Sequence, residues 1–215
     1  MKILVTGGTG LIGRHFISAF HHKYQITVLT RNTQKAQLYL PENIEFIDQL
    51  PEQSDFDVII NLAGEPIVDK RWTRAQKEII CQSRWNITEK IVAMIARATV
   101  KPSCLISGSA IGYYGETGSV STHEDAQVIH SDFAHTLCQK WEKLALKAKD
   151  HCRVVLLRTG VVLASDGGAL EKMRLPFSVG LGGKLGHGQQ YMSWIHIDDM
   201  IHAIHFSLQI ECIEG

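Results

Sequence analysis

The chain opens MKILVTGGTGLIG, Met1 to Gly13. Lys2–Thr6 is a short apolar run with the β-branched content of a buried strand. Gly7, Gly10 and Gly13 follow at intervals of three, and Ile12, Phe16, Ala19 and Phe20 then fall at helical spacing. A glycine turn between a strand and a helix is the setting in which this spacing signals a bound pyrophosphate. Gly7 permits the tight turn, Gly10 lets the backbone approach the phosphates, and Gly13 lets the helix pack closely on the sheet. The anion would rest on backbone N–H groups of Thr9, Leu11 and Ile12 and on the positive end of the helix dipole. The bland alternative is a glycine-rich turn that holds nothing.

Working outward, strands and helices alternate. The pattern predicts a helix over Leu11–His22, a strand at Gln25–Thr30, a short helix Thr33–Leu40 capped by Asn32, and strands at Ile44–Ile47 and Val58–Leu62. Thr73 and Gln76 read as a capping box that opens a long helix to about Ala98. A strand is expected at Cys104–Ser107, a loop over Gly108–Gln127 and a helix over Asp132–Lys149 with Phe133, Leu137 and Trp141 in its apolar stripe. Arg153–Arg158 reads as a strand, Gly167–Gly188 as a glycine-rich loop with a helical patch at Leu170–Leu175, and Asp199–Glu211 as a helix capped by Asp198. This order predicts an α/β fold: a doubly wound parallel sheet of Rossmann type, an α/β/α sandwich with right-handed crossovers. Residues 1–165 would form the dinucleotide-binding domain and 166–215 a partial substrate-side region with a helix returning to the core.

Composition narrows the function classes. Lys+Arg 22 balances Asp+Glu 22, which gives no signal for nucleic acid or an anionic membrane. The five cysteines form no CxxC pair and read as small buried residues in a reducing compartment. The eleven histidines lack metal-site spacing, and no metal is expected. His196 reads as a structural hydrogen-bonding residue. No apolar run reaches membrane-spanning length, and a cytoplasmic protein is expected.

The end of the second strand bears on the choice of dinucleotide. An acid there would bond the ribose 2′-OH of NAD. Here stand Thr30 and Arg31, a hydroxyl and a guanidinium that suit a 2′-phosphate, so NADP(H) is favoured over NAD(H). Arg14 would add charge, and Asp48 sits where it would reach the adenine. The competing reading makes Arg31 a plain exposed residue before a helix.

Five further stretches resemble one family: TGGTGLIG (Thr6–Gly13), NLAGEP (Asn61–Pro66), SRWNIT (Ser83–Thr88), LISGSAIGYYG (Leu105–Gly115) and WIHIDDM (Trp194–Met200). Together they resemble the extended short-chain dehydrogenases/reductases, and more closely an atypical epimerase-like subgroup of the NAD-dependent epimerase/dehydratase family. Trp72–Arg84 and Leu181–Asp199 look particular to that subgroup. The resemblance implies that Leu62, Ala63 and Gly64 line the nicotinamide ribose, that Glu78 and Arg84 face the cofactor side, and that Arg158 closes its strand near the nicotinamide. It makes Ser109 the serine that polarises a substrate oxygen.

Two departures stand out. The superfamily's Tyr-x-x-x-Lys pair is missing: no tyrosine here has a lysine four residues on, and the matching helix carries Phe133 and Leu137 instead. Tyr113 and Tyr114 are the remaining candidates for a proton donor, with packing as the alternative. Family members also continue past the WIHIDDM helix into a region that completes the substrate pocket, so the substrate side is expected to be incomplete here. The implied function is an NADP(H)-binding epimerase-like oxidoreductase acting on a nucleotide sugar or another small carbonyl or hydroxyl compound. The alternative is a dinucleotide-binding sensor without efficient catalysis.

Overall fold

The computed structural model describes residues 1–126, 131–184 and 186–213. Gln127 at the end of the expected loop, Leu185 in the glycine-rich stretch, and Glu214 and Gly215 lie outside the described residues. The elements in chain order are β1 (Lys2–Thr6), α1 (Leu11–Phe20), β2 (Gln25–Leu29), α2 (Thr33–Gln37), β3 (Glu45–Ile47), β4 (Val58–Asn61), α3 (Arg74–Arg97) and β5 (Cys104–Ala110). After a single 3₁₀ turn at Ile111–Tyr114 come α4 (Phe133–Ala145), β6 (Arg153–Thr159), β7 (Val161–Ala164), α5 (Gly168–Ser178), β8 (Trp194–His196) and α6 (Ile197–Gln209).

Six strands form one sheet in the order β3-β2-β1-β4-β5-β6, every pair parallel. This is the doubly wound arrangement expected from the alternation, with the strand order reversing between β1 and β4. Helices cover both faces, so alternate residues of each strand enter different cores. Ile3, Val5, Ile60 and Ile106 pack with Phe16 and Ile17 of α1 and Met200 and Ile204 of α6. Leu4, Ile59 and Leu105 pack with Ile91, Met94 and Ile95 of α3 and with Ala145 and Ala148. Such strands read as unbroken apolar runs rather than alternations, as KILV and VII do.

Side-chain caps fix several helix starts. Asn32 accepts from the Lys35 N–H at 2.8 Å, Thr73 from Gln76 at 3.2 Å and Asp132 from His135 at 2.8 Å. Only half of the expected capping box forms, because the Thr73 N–H donates to the Arg71 carbonyl instead. The cap of α6 is His196, whose Nδ1 accepts from the Asp198 N–H at 3.3 Å. The helix therefore begins two residues before the expected start, and Asp198 lies in its first turn.

Two further differences matter for the site. β5 runs three residues past its expected end, because Gly108, Ser109 and Ala110 continue the ladder opposite Leu157, Arg158 and Thr159. A β-carbon on Gly108 would sit 3.0 Å from the Trp141 ring, so glycine is what allows the strand to pass under α4. β7 and β8 form a separate two-stranded parallel sheet where only loop was expected. No described helix is long and apolar enough to cross a membrane.

Candidate functional site

The turn from β1 into α1 lies at the point where the strand order reverses, at the carboxyl edge of the sheet. Gly7 has φ +72°, and a β-carbon there would come within 2.5 Å of the Leu62 carbonyl oxygen. A β-carbon on Gly13 would lie 2.4 Å from the Gly7 oxygen, so helix and turn are pressed together. Gly10 differs: it is exposed, its N–H donates to the Gly7 carbonyl at 3.0 Å, and a β-carbon would meet only that oxygen, at 3.2 Å. No side chain caps α1, which leaves its first-turn N–H groups and dipole to an outside anion. Thr9 is exposed beside Gly10, and Leu11 and Ile12 are half-buried in the first turn. The cradle fits a pyrophosphate.

At the end of β2, the Thr30 hydroxyl accepts from the Asn32 N–H and Arg31 is exposed. The Glu65 carboxyl is held below its ordinary range by a hydrogen bond from Lys70, with the charges of Lys70 and Arg31 adding to it. Asp48 is exposed just past β3. Arg14 does not supply the extra charge expected of it. Its guanidinium donates to the Asp166 carbonyl at 2.7 Å and pairs with the Asp166 carboxylate at 3.0 Å, tying α1 to the β7–α5 turn.

Past β4, the Leu62 N–H donates to the Thr6 carbonyl, and Leu62 and Ala63 are half-buried along the edge. The Asn61 side chain is turned inward. It accepts from the Thr6 hydroxyl at 2.7 Å and donates to Thr88 Oγ1 at 2.9 Å. Thr88 Oγ1 also accepts from the Trp141 indole N–H at 3.0 Å and donates to the Arg84 carbonyl at 2.8 Å. Arg84 is 7% exposed, directly behind Gly64, and donates to the carbonyls of Ile80 and Glu65. It braces the loop after β4 from below rather than presenting its guanidinium to the cleft. Glu78 lies elsewhere: it accepts from Gln82 and helps line a cavity between α3 and α4 with Trp72, Arg74, Lys77, Cys81 and Phe133.

A second cluster surrounds Ser109. Its hydroxyl donates to Glu142 Oε1 at 2.5 Å. Glu142 on α4 is 3% exposed and receives two further bonds from Arg158, Nε to Oε1 at 2.9 Å and a terminal nitrogen to Oε2 at 3.0 Å. Arg158 also donates to the Tyr114 hydroxyl at 3.0 Å and lies 3.7 Å from the centre of the Tyr113 ring. Burial opposes the Arg158 charge, but hydrogen bonds to Glu142 and Tyr114 outweigh it and raise its pKa. Neither Tyr113 nor Tyr114 is a free phenol in open space: one ring is stacked on the guanidinium and the other hydroxyl is bonded to it. Phe133 and Leu137 are packing residues, Phe133 edge-to-face on Trp72 and Leu137 buried with Ile80 and Cys81. Nothing in the sequence marked Glu142 as more than a helical acid, since its partners lie 33 and 16 residues away.

The family model for the NAD dependent epimerase/dehydratase family matches residues 3–211. The chain belongs to that family. An epimerase family protein of Staphylococcus epidermidis is 38% identical over 221 aligned residues, spanning all of this chain and 73% of that protein. A chloroplastic SDR39U1 homologue of Arabidopsis thaliana is also 38% identical, with 64% of its length covered. The human epimerase family protein SDR39U1, crystallised with NADPH, superposes on the whole chain with a TM-score of 0.87 at 30% identity, over 72% of its own length. A nucleoside-diphosphate sugar epimerase from Corynebacterium glutamicum gives a TM-score of 0.83 at 29% identity, over 45% of its length. Family membership, the fold and a site for a dinucleotide therefore agree.

Proposed function

We propose that this chain binds NADP(H) along the carboxyl ends of β1, β2 and β4 and serves hydride-transfer chemistry on a small hydroxyl or carbonyl compound. A nucleotide sugar is the first class to try, given the name of the Corynebacterium relative. The observation that carries the reading is the glycine turn, closed against Leu62 at Gly7 but open above Gly10. Gly7, Thr9, Gly10, Leu11, Ile12 and Gly13 would hold the pyrophosphate through backbone and dipole. Thr30 and Arg31 would take the 2′-phosphate, and Asp48 the adenine side. Leu62, Ala63 and Gly64 would meet the nicotinamide ribose, with Arg84 fixing their loop. Residues 1–165 make up the dinucleotide-binding part and 166–215 a partial substrate side.

When bound, the nicotinamide supplies a two-electron acceptor or donor; the protein supplies position and proton control. Ser109 gives its proton to Glu142, which leaves its lone pairs toward the cleft. In this arrangement Ser109 accepts from a substrate hydroxyl rather than donating to a carbonyl. Arg158 keeps Glu142 ionised and so keeps Ser109 in that role.

A second reading, a dinucleotide-binding sensor with little turnover, is favoured by Phe133 and Leu137, which cannot move a proton. Fluorescence titration with NADPH and NADH, followed by assays against alcohol and carbonyl panels, separates the two. NADPH binding with turnover supports the enzyme; tight NADPH binding without turnover on any panel member supports the sensor. Arg31→Ala should weaken NADPH about tenfold and leave NADH unchanged. NADH binding tighter than NADPH overturns the role of Arg31.

A further inference from the structure

We propose that the cavity between the first turns of α3 and α4 is a subsite for an organic anion carried on a ring. It encloses about 360 Å³ and is lined by Trp72, Arg74, Lys77, Glu78, Cys81 and Phe133. That volume suits one ring and its charged substituent.

The walls are aromatic and held in place. Trp72 is 44% exposed, yet its indole N–H donates to the Ile67 carbonyl at 2.7 Å and its ring meets Phe133 edge-to-face at 5.3 Å. An exposed tryptophan fixed in this way offers a flat face at little entropic cost. Cys81 contributes a buried thiol whose pKa burial raises, so it acts as a neutral wall.

The charge is cationic and uncommitted. Among the described residues, neither Arg74 nor Lys77 takes part in an ion pair. Lys77 Nζ lies 4.8 Å over the Phe133 ring, which places its charge at the cavity. The one carboxylate, Glu78, already accepts from the Gln82 amide at 2.6 Å. Two free cations beside two ring faces recognise an anion with a ring body, a carboxylate or phosphate on a sugar or an aromatic. The subsite lies near the Ser109 cluster, since α4 begins at Phe133 and His135 Nδ1 bonds to the Tyr113 carbonyl at 2.5 Å. Its role as a substrate anchor rests on the hydride-transfer reading above; its binding of anions does not.

The test is tryptophan-fluorescence titration of the whole chain, without cofactor, using phenyl phosphate, benzoate and glucuronate, with benzyl alcohol and glucose as uncharged controls. Saturable binding of the anions alone is expected, weakened about tenfold or more in Arg74→Ala/Lys77→Ala and retained in Gly10→Ala. Phenyl phosphate and benzoate binding without glucuronate assigns an aromatic ligand; glucuronate binding assigns a sugar acid. No saturable binding, equal binding of benzyl alcohol, or a signal lost in Gly10→Ala but kept in the double variant overturns the proposal. Thermal melts of the double variant should match the parent, because both side chains make no ion pair to lose. A parallel NADPH titration keeps the two readings separate. Anion binding with no NADPH binding sinks the cofactor reading alone, and the reverse sinks the subsite alone.

Discussion

The two ends of the cleft are built in opposite ways. At the β1–α1 turn the specification is an absence: Gly7 and Gly13 leave no room for a side chain, and backbone does the work. At the Ser109 end the specification is a set of partners, with Ser109, Glu142, Arg158 and Tyr114 converging from four separate elements. A steric absence sits in a few consecutive residues and is legible as spacing. A convergent network has no spacing, because its members meet only after the sheet has formed and α4 has packed over β5.

Substitutions at the two ends should fail differently. Gly7→Ala forces a β-carbon into the Leu62 backbone at a positive φ, and a loss of about 3–4 kcal/mol in urea unfolding is expected. Gly10→Ala meets only one oxygen at 3.2 Å, so it should cost less than about 1 kcal/mol of stability while sharply reducing NADPH affinity. If Gly10→Ala binds NADPH normally, the open face above Gly10 is not the phosphate site.

Glu142→Ala strips the buried partner from Arg158 and Ser109 and should cost about 3 kcal/mol. The double variant Glu142→Ala/Arg158→Ala should lose clearly less than the two single losses combined, and additivity in that cycle would mean that the pair is not coupled. Thr88→Val leaves the Asn61 amide and the Trp141 indole N–H without an acceptor, for an expected loss of about 2 kcal/mol, with Thr88→Ser close to the parent.

The smallest effect lies at the α1–α6 contact. His205 stacks on Phe20 at 4.3 Å and its Nε2 meets the Tyr24 hydroxyl at 2.9 Å. Burial, with the charges of Lys23 and His202, holds its pKa below the ordinary 6.5. The unfolded chain therefore binds this proton at a higher pH than the folded one, and stability falls as pH drops below about 6.5. Urea midpoints across that range should slope less in His205→Gln than in the parent; equal slopes would remove His205 as the cause.

Much of the frame was readable from residue order, including the strands around KILV and VII, the caps at Asn32 and Thr73, and the long α3 helix. The errors came where tertiary contact overrode a local signal. Asp198 looked like a cap, but His196 took that place once β8 had paired with β7 and led directly into α6. Ser109 looked like a loop residue, but the ladder to β6 carried it onto a strand. Arg14 looked like charge for a phosphate, but Asp166, 152 residues away, claimed it. Trp141 looked like apolar core, yet its indole N–H helps close the polar network around Thr88.

By itself, then, the sequence determined the doubly wound sheet and the dinucleotide turn, because both rest on local backbone sterics and on apolar runs whose meaning does not depend on distant residues. Only the tertiary structure decided that Ser109 hands its proton to a buried glutamate, that Arg84 is a brace, and that two unpaired cations share a cavity with Trp72 and Phe133. Those facts depend on which side chains meet, and that is set by the packing of α3 and α4 over the sheet.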